Sequence, residues 1–504
     1  MNRGIIKSCL LFSGISLLIF LVFYPVLNSY FVNDDLRLIY ISSPLSVNSI
    51  SDFFTSSGGW FAGLYRPIIR IIFYMEHSLY KLNPAGYHLT NVLFHTSVTI
   101  MVFYFTRILT DSGKAGSFAA LIFAIHPLHT EAVTWISGRG DLIFTFFYLL
   151  ALLGFIKYIS LERKKVIYLI VSACCFLLSL LSKESAITLP VILFITEAFY
   201  SKKSSNNGRY RMKFANYMPF LFVMVLYVSI KFFFIGGSLY IDKIGLITFL
   251  RTGYHFFQLF APVNIDTFNS KNLVQFALNL IIVLNFAVPF IIYLYFSKDK
   301  MKHLYLFIYC ALWILITSFP LYLGSGVRYL YISSIASSAV TGLIVADGLN
   351  AVENHSLKLS KIITPLLIIS ILLTFSIRTV QRNYIYNDAG DVAKRILSQI
   401  GNMHAQFPAG SVLYFINFPH EGIRDTETWI TPIPVIKVAI QVKYGDKTLI
   451  VYHERKRFST FEDKLRFLEQ RSLREYVRDG KQYYVFEYRD GNVVETTDIF
   501  KIRK

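Results

Sequence analysis

The feature that most limits how this chain can fold is a series of apolar stretches of about 20 residues, the length at which a helix crosses the hydrocarbon core of a bilayer. They fall near residues 8–30, 88–108, 116–136, 142–160, 166–182, 186–200, 214–235, 272–296, 303–323, 328–347 and 362–380. That makes about eleven spans in 504 residues, of which 54% are hydrophobic, at a mean hydropathy of +0.49. A soluble globular chain of this size is far less apolar, so the sequence predicts a mainly α, polytopic membrane helix bundle.

A net charge of +19 raises the question of nucleic acid. The basic residues of the apolar portion answer it, because they gather in short loops on one side of the predicted spans: Arg3 and Lys7, Arg107 and Lys114, and the loops at 163–165, 202–213, 298–302 and 358–361. The positive-inside bias makes that side cytoplasmic and no nucleic-acid partner is implied. The opposite side receives the long first loop 31–87, short segments near 129–141, 183–185 and 324–328, the connection 236–271, and everything after residue 380. Arg3 and Lys7 precede the first apolar run without a small-residue cleavage site, which reads as an uncleaved first span. Cys9, Cys174, Cys175 and Cys310 all lie in apolar segments and indicate neither a disulfide framework nor a zinc pattern.

Two segments on that opposite side mix apolar residues with charge at helical spacing. Residues 64–80 carry Arg66, Arg70, Glu76 and His77 and suit a helix lying in the interface. Residues 244–262, with Arg251, His255 and Gln258, suit a second interfacial or re-entrant helix. From about residue 386 the composition becomes that of a soluble domain: a helix over 391–400, strands over 412–418 and 448–452, a helix over 461–477, and strands over 483–488 and 492–496 flanking the hairpin signal Asp490-Gly491. The chain therefore divides into a transmembrane domain, 1–385, and a small α/β domain, 386–504, which an odd number of spans places outside the cytoplasm.

The residues that could carry chemistry are all on that same side. Adjacent carboxylates, Asp34 and Asp35, end the first span, where ionisable groups are costly and usually mark a site or pathway. The stretch His126-Pro127-Leu128-His129-Thr130-Glu131 is followed by Arg139 and Asp141. His126 and His129, three apart, would share a helical face and could ligate a divalent metal, hydrogen-bond within the fold or contact a phosphate. Pro127 favours a helix beginning there over one passing through. Arg66, Arg139, Lys183 beside Glu184, and Arg328 beside Tyr329 and Tyr331 add cations. Singly each suits an interfacial anchor; together with the acids they form a site able to abstract a proton and hold an anionic leaving group. His88, Asn91 and His95 make a polar stripe on the second span that equally suits hydrogen bonding between helices.

These stretches, in this order, resemble the GT-C superfamily of polyprenyl-phosphate-sugar-dependent glycosyltransferases, most closely the membrane half of the transmembrane and tetratricopeptide-repeat O-mannosyltransferases. The resemblance rests on residues 31–35, Tyr65-Arg66-Pro67, residues 88–95, residues 126–133 with Gly138-Arg139 and Asp141-Leu142, Ser182-Lys183-Glu184, and Arg328-Tyr329-Leu330-Tyr331, and covers roughly residues 20–345. It implies a GT-C fold, a lipid-phosphate-linked sugar donor, inverting hexosyl or mannosyl transfer, and an acid of the first-loop motif as general base, with Asp34 at the position of its first acid. Arg66, Arg139, Lys183 and Arg328 would then hold the donor phosphate, with His126, His129, Glu131, Glu184, Tyr329 and Tyr331 in the pocket. The acceptor stays open between protein, lipid and glycan. The chain has no tetratricopeptide repeats, which with the short basic loops favours a bacterial inner membrane. Two other readings share parts of this pattern: a lipid-linked glycan flippase or transporter, whose ionisable residues would line a path at mid-membrane, and a glycan polymerase or ligase.

Overall fold

The computed structural model describes residues 3–55, 64–161, 165–204, 212–235, 254–263, 273–297, 300–318, 326–354, 360–418, 423–425, 428–430, 436–453 and 458–500. The helices run, in chain order, α1 (Arg3–Phe23), α2 (Asp35–Ser42), α3 (Asp52–Thr55), α4 (Pro67–Tyr80), α5 (Pro84–Thr110), α6 (Gly113–Ala124), α7 (Thr130–Thr134), α8 (Gly140–Ser160), α9 (Val166–Ser182), α10 (Leu189–Ser204), α11 (Met218–Ile235), α12 (Leu273–Phe296), α13 (Lys300–Thr317), α14 (Ser334–Asn354) and α15 (Ser360–Met403). Each of the apolar stretches holds at least one of them. Among the described residues six segments are long and apolar enough to cross a membrane: Ile6–Asn28, Pro84–Thr110, Ile136–Ser160, Glu184–Ser201, Leu273–Tyr295 and Pro365–Met403. Helices α6, α9, α11 and α13 are apolar but shorter. The protein is a multi-pass membrane protein.

Local chemistry sets several boundaries. Asn83 caps α5 by accepting the Ala85 amide at 3.1 Å, and Ser112 caps α6 by accepting the Ala115 amide at 3.1 Å. The third stretch, expected to be helical to residue 136, stops at Ala124. Pro127 lacks an amide hydrogen and holds His126 extended, at φ −65° and ψ 124°, so the chain turns through Pro127–His129, α7 and Ile136–Arg139 before α8 begins. The tenth stretch likewise opens with a turn, Val327–Leu330, ahead of α14. The expected 64–80 helix is α4. Of 244–262, residues 254–258 are helical and 244–253 lie outside the described residues.

The largest departure from the sequence reading concerns the last span. The expected span 362–380 and the expected helix 391–400 are one helix, α15, of 44 residues, about 66 Å at 1.5 Å per residue. Residues 385 and 386 are both inside it, so the two parts of the chain are joined by a rigid rod. Beyond it lie β1 (Val412–Ile416), β2 (Ile423–Asp425), β3 (Thr428–Ile430), α16 (Ile436–Tyr444), β4 (Ile450–His453), α17 (Phe461–Gln470), α18 (Leu473–Arg478), β5 (Tyr483–Arg489) and β6 (Asn492–Glu495). The predicted 461–477 helix is two helices, broken at Ser472 in the left-handed region, φ 60°. The main sheet has the order β4-β1-β5-β6, with β4 and β5 parallel to β1 and β6 antiparallel to β5. Asp490 and Gly491, at φ 48° and 85°, make the two-residue β5–β6 turn.

Side chains on β1 alternate between two cores. Val412, Tyr414 and Ile416 pack with Phe467, Leu468 and Leu473. Leu413 and Phe415 share a core with Ile396 and Ile400 of α15, Ala439 and Ile440 of α16, and Leu36, Leu38, Ile39 and Ile41 of α2. The first loop and the C-terminal domain thus fold as one body at this end of the bundle.

Small residues let helices approach closely, the usual means of packing where lipid removes the hydrophobic drive. A Cβ on Gly342 of α14 would stand 2.6 Å from the Ala115 carbonyl and 2.6 Å from the Ala119 amide of α6. Gly342→Ala should cost about 1–3 kcal/mol through forced separation of two backbones. Gly348→Ala on the same helix, facing only the Ile292 methyl at 3.5 Å, should leave the melting temperature in detergent unchanged or raise it. Equal melting of the two variants would contradict this packing.

Candidate active site

The two adjacent acids do different things. Asn33 adopts the left-handed conformation, φ 49°, which Asn tolerates better than most residues, and delivers the chain into α2. Asp35, in the first turn, is 1% exposed, and its carboxylate accepts the Val32 amide at 3.0 Å, the Ser137 amide at 2.8 Å and the Ser137 hydroxyl at 2.6 Å. Burial pushes its pKa up to about 6 against those bonds and the nearby Arg139. Asp34, at the N-cap position, is half-buried, and its carboxylate makes no hydrogen bond or ion pair among the described residues. Burial raises its pKa, while Arg37 and Arg328 hold it down.

Beside Asp34 lies a row of paired charges. The Arg328 guanidinium bonds Glu131, its backbone amide donates to the same carboxylate at 2.9 Å, and its Nε stands 3.8 Å from Asp141. Lys183, at the end of α9, donates to Asp141 at 2.6 Å. Arg66, at the start of α4, grips Glu184 through two nitrogens at 3.0 and 2.5 Å. Gly140 sits beside both Arg66 and Lys183, since a Cβ there would come within 3.9 Å of one and 4.0 Å of the other. The Tyr329 ring lies between Lys183 at 4.3 Å and Arg328 at 5.0 Å, and Trp135 stacks on Arg328 at 4.9 Å. Burial works against the Arg328 charge, but Glu131, Tyr329 and Asp141 more than offset it and raise the pKa. With Asp34, Glu131, Asp141 and Glu184 facing Arg66, Lys183 and Arg328, four acids meet three cations.

Besides Asp35, four predicted site residues stand apart from this row. Arg139 is fully buried, pairs with Glu76 of α4, donates to the Ile136 and Tyr87 carbonyls at 3.0 Å each, and stacks on Phe73 at 4.4 Å. His129 bonds the Ser334 hydroxyl at 2.8 Å, and Tyr331 bonds His95 at 2.7 Å, while His126 accepts the Leu128 amide at 3.3 Å as the cap of its turn. Burial pushes the His126 pKa down to about 3 and that of His129 well below its ordinary value, so both are neutral core groups. Among the described residues no group of three or more His, Cys, Asp and Glu is arranged to hold a metal. Asp141 and Trp135 belong to the row and were not among the residues assigned to the site from sequence. The sequence singled out Asp141 with the His126–Glu131 motif and in the resemblance, but gave it no role.

No protein-family profile matches the chain. Human protein O-mannosyl-transferase TMTC2 is 33% identical over 180 residues, which is 34% of this chain and 21% of that protein. Drosophila melanogaster protein O-mannosyl-transferase Tmtc1 is 36% identical over 187 residues, 35% of this chain and 21% of that one. The match thus spans about a fifth of the length of these curated relatives. Among solved structures, the archaeal oligosaccharyltransferase AglB from Archaeoglobus fulgidus, in complex with an inhibitory peptide and a dolichol-phosphate, superposes with a TM-score of 0.51 at 12% identity, over 97% of this chain and 70% of that one. The fold is that of the GT-C membrane glycosyltransferases. The mycobacterial arabinofuranosyltransferase AftD superposes with a TM-score of 0.50 at 11% identity, over 97% of this chain and 35% of that one. Within this GT-C fold, both acids of the first loop and all the paired charges of the row lie at the end of the bundle closed by α2 and α4.

The different roles of the acids can be tested by stability alone. Asp35→Ala strands two amides and a hydroxyl in a buried place and should cost at least ~1–3 kcal/mol, read as earlier melting in detergent. Asp34→Asn breaks no bond and should melt within about 0.5 kcal/mol of wild type.

Proposed function

We propose that this protein is an inverting glycosyltransferase that moves a sugar, hexosyl or mannosyl, from a polyprenyl-phosphate donor to a hydroxyl of a protein, lipid or glycan at the outer face of the membrane. The observation that carries the reading is Asp34: a half-buried carboxylate with no hydrogen bond among the described residues and a raised pKa, beside Arg328 at the end of a row of cations. The similarity to O-mannosyl-transferases and the fold of a protein that binds dolichol-phosphate support it.

In this reaction the acceptor oxygen attacks the anomeric carbon from the face opposite the phosphate, and its proton passes to Asp34. The bond from that carbon to the phosphate oxygen breaks, and its electron pair leaves with the lipid phosphate, which gains one negative charge. Arg328, Lys183 and Arg66 receive that charge, and fixed donors placed where charge develops are the largest catalytic contribution expected. Each cation is held ready by a carboxylate, so phosphate oxygens replace carboxylate oxygens and no cation has to be brought from water. Arg139, bound on all sides, positions Asp35 and α4 instead. The basic loops face the cytoplasm of a bacterial inner membrane, and the row and residues 386–504 face outward. Residues 1–385 carry the site, and the C-terminal domain braces α2.

Asp34→Asn should lower transfer from mannosyl-phosphoryl-polyprenol by about 10²–10⁴ while the protein still binds undecaprenyl phosphate; transfer near the wild-type rate would overturn the assignment. The pH profile gives a second test. The base works deprotonated, so kcat/KM should rise through an ionisation above the ordinary Asp value of 3.8. Arg37→Gln removes a cation that holds this pKa down and should move the acid limb to higher pH; a shift downward would exclude Asp34. Orientation can be read separately. On a background without the native cysteines, a cysteine at Asp479 should label in intact cells, and one at Lys114 only after permeabilisation. The reverse pattern would put the row on the cytoplasmic face.

A further inference from the structure

Two buried hydrogen-bond donors at the row have no partner among the described residues: the indole nitrogen of Trp135 and the phenol oxygen of Tyr227, whose side chain is 3% exposed. Buried Trp and Tyr usually spend these groups on an acceptor, because leaving them unpaired forfeits their hydration. They stand at opposite ends of the row. Trp135 carries Arg328 on its ring face and packs with Val32, Tyr386 and Ala389, next to the turn that presents Asp34. Tyr227 has Glu184, Arg66 and Tyr65 as its electrostatic neighbours, with its ring 6.1 Å from that of Tyr65. It lies on α11, whose Phe222, Val225, Phe232 and Phe233 are exposed on the outside of the bundle as lipid-facing residues are.

Resting on the reaction proposed above, we infer that these two donors bind the lipid-linked sugar and fix its direction along the row. The Trp135 N–H bonds a hydroxyl of the transferred sugar at the Asp34 end. The Tyr227 O–H bonds the phosphate at the Arg66 end, and the polyprenyl chain leaves along α11. This direction puts the anomeric carbon between the base and the cations, as the displacement requires. It also makes Trp135 a reader of the sugar and Tyr227 a reader of the phosphate, so their removal has different signatures.

The test titrates wild type, Trp135→Phe and Tyr227→Phe in detergent with two probes, undecaprenyl phosphate and mannosyl-phosphoryl-undecaprenol. A single hydrogen bond corresponds to roughly a tenfold change in affinity. Trp135→Phe keeps a ring under Arg328 and should weaken the mannosyl lipid about tenfold, with undecaprenyl phosphate changed by less than about twofold. Tyr227→Phe should weaken both lipids about tenfold. The melting temperature of Tyr227→Phe should stay at the wild-type value, because that change removes only an oxygen with no partner among the described residues; a clear drop would mean that this donor serves the fold and would overturn the inference. So would a Trp135→Phe variant that binds the mannosyl lipid as wild type does or loses both lipids equally, a Tyr227→Phe variant with unchanged affinities, or a wild type that gains nothing from the mannose. A wild type that binds neither lipid would instead overturn the reaction proposed above.

Discussion

Charge buried at the end of a membrane bundle has to be matched, and that requirement organises the structure around the row. An unpaired ion in a low-dielectric interior is prohibitively costly, and removing one member of a buried pair typically costs about 3–5 kcal/mol because the other is left uncompensated. Arg328 has Glu131, Lys183 has Asp141, Arg66 has Glu184 and Arg139 has Glu76. In most of these pairs the partners come from segments distant in sequence. Glu131 is on α7, Arg328 on the turn before α14, Asp141 on α8, Lys183 after α9, and Arg66 at the start of α4. The pairs therefore tie together loops that no secondary structure connects. Acids that take no chemical part in the proposed reaction are needed all the same, because without them the cations could not be buried where a phosphate would meet them.

A second dependence runs from the C-terminal domain to Asp34. Helix α2 is eight residues long and cannot be stable by itself. Its Leu36, Leu38, Ile39 and Ile41 are buried in a core completed by α15, α16 and β1, some 360 to 400 residues further along the chain. From the other side α15 grips the segment before Asp34: Asn387 donates to the Pro25 carbonyl at 3.0 Å, Asn383 donates to the Val22 carbonyl at 2.9 Å, and the Tyr386 carbonyl accepts from Ser29 at 3.3 Å. The position of Asp34 is thus set by the folding of the last quarter of the chain.

How much of this the sequence reveals follows from the range of the forces involved. Spans are legible because a bilayer imposes length and apolarity on each one locally, and the Asp490-Gly491 turn is legible because its left-handed geometry needs those residue types. The break after Ala124 was signalled by Pro127. Helices α2 and α16 were not read, because each is short and formed by packing against distant partners. Residue type and expected side of the membrane selected Asp34, Arg66, Lys183 and Arg328, which the fold brings together. The same two criteria also selected Arg139, His126 and His129. What separates Arg139 from Arg328 is which way each guanidinium turns, toward Glu76 and Tyr87 or toward Glu131 and Asp141, and no local pattern encodes that.

The adjacent carboxylates are best understood as one device with two parts. Consecutive residues at a helix start point in directions about 100° apart, and the two acids here face different surroundings. Asp35 turns inward and spends both oxygens on Val32 and Ser137, which clamps the turn after α7, with Trp135 and Arg139 on it, to the start of α2. Asp34 then needs no bond of its own to be held in place: its backbone is fixed by its neighbour, and its carboxylate makes no bond among the described residues. A base positioned through its own hydrogen bonds would have lost basicity to them and would have to break one to accept a proton. Placing the bonds on the next residue gives a fixed backbone and, among the described residues, an unbonded carboxylate together, the preorganisation that the proposed displacement would require.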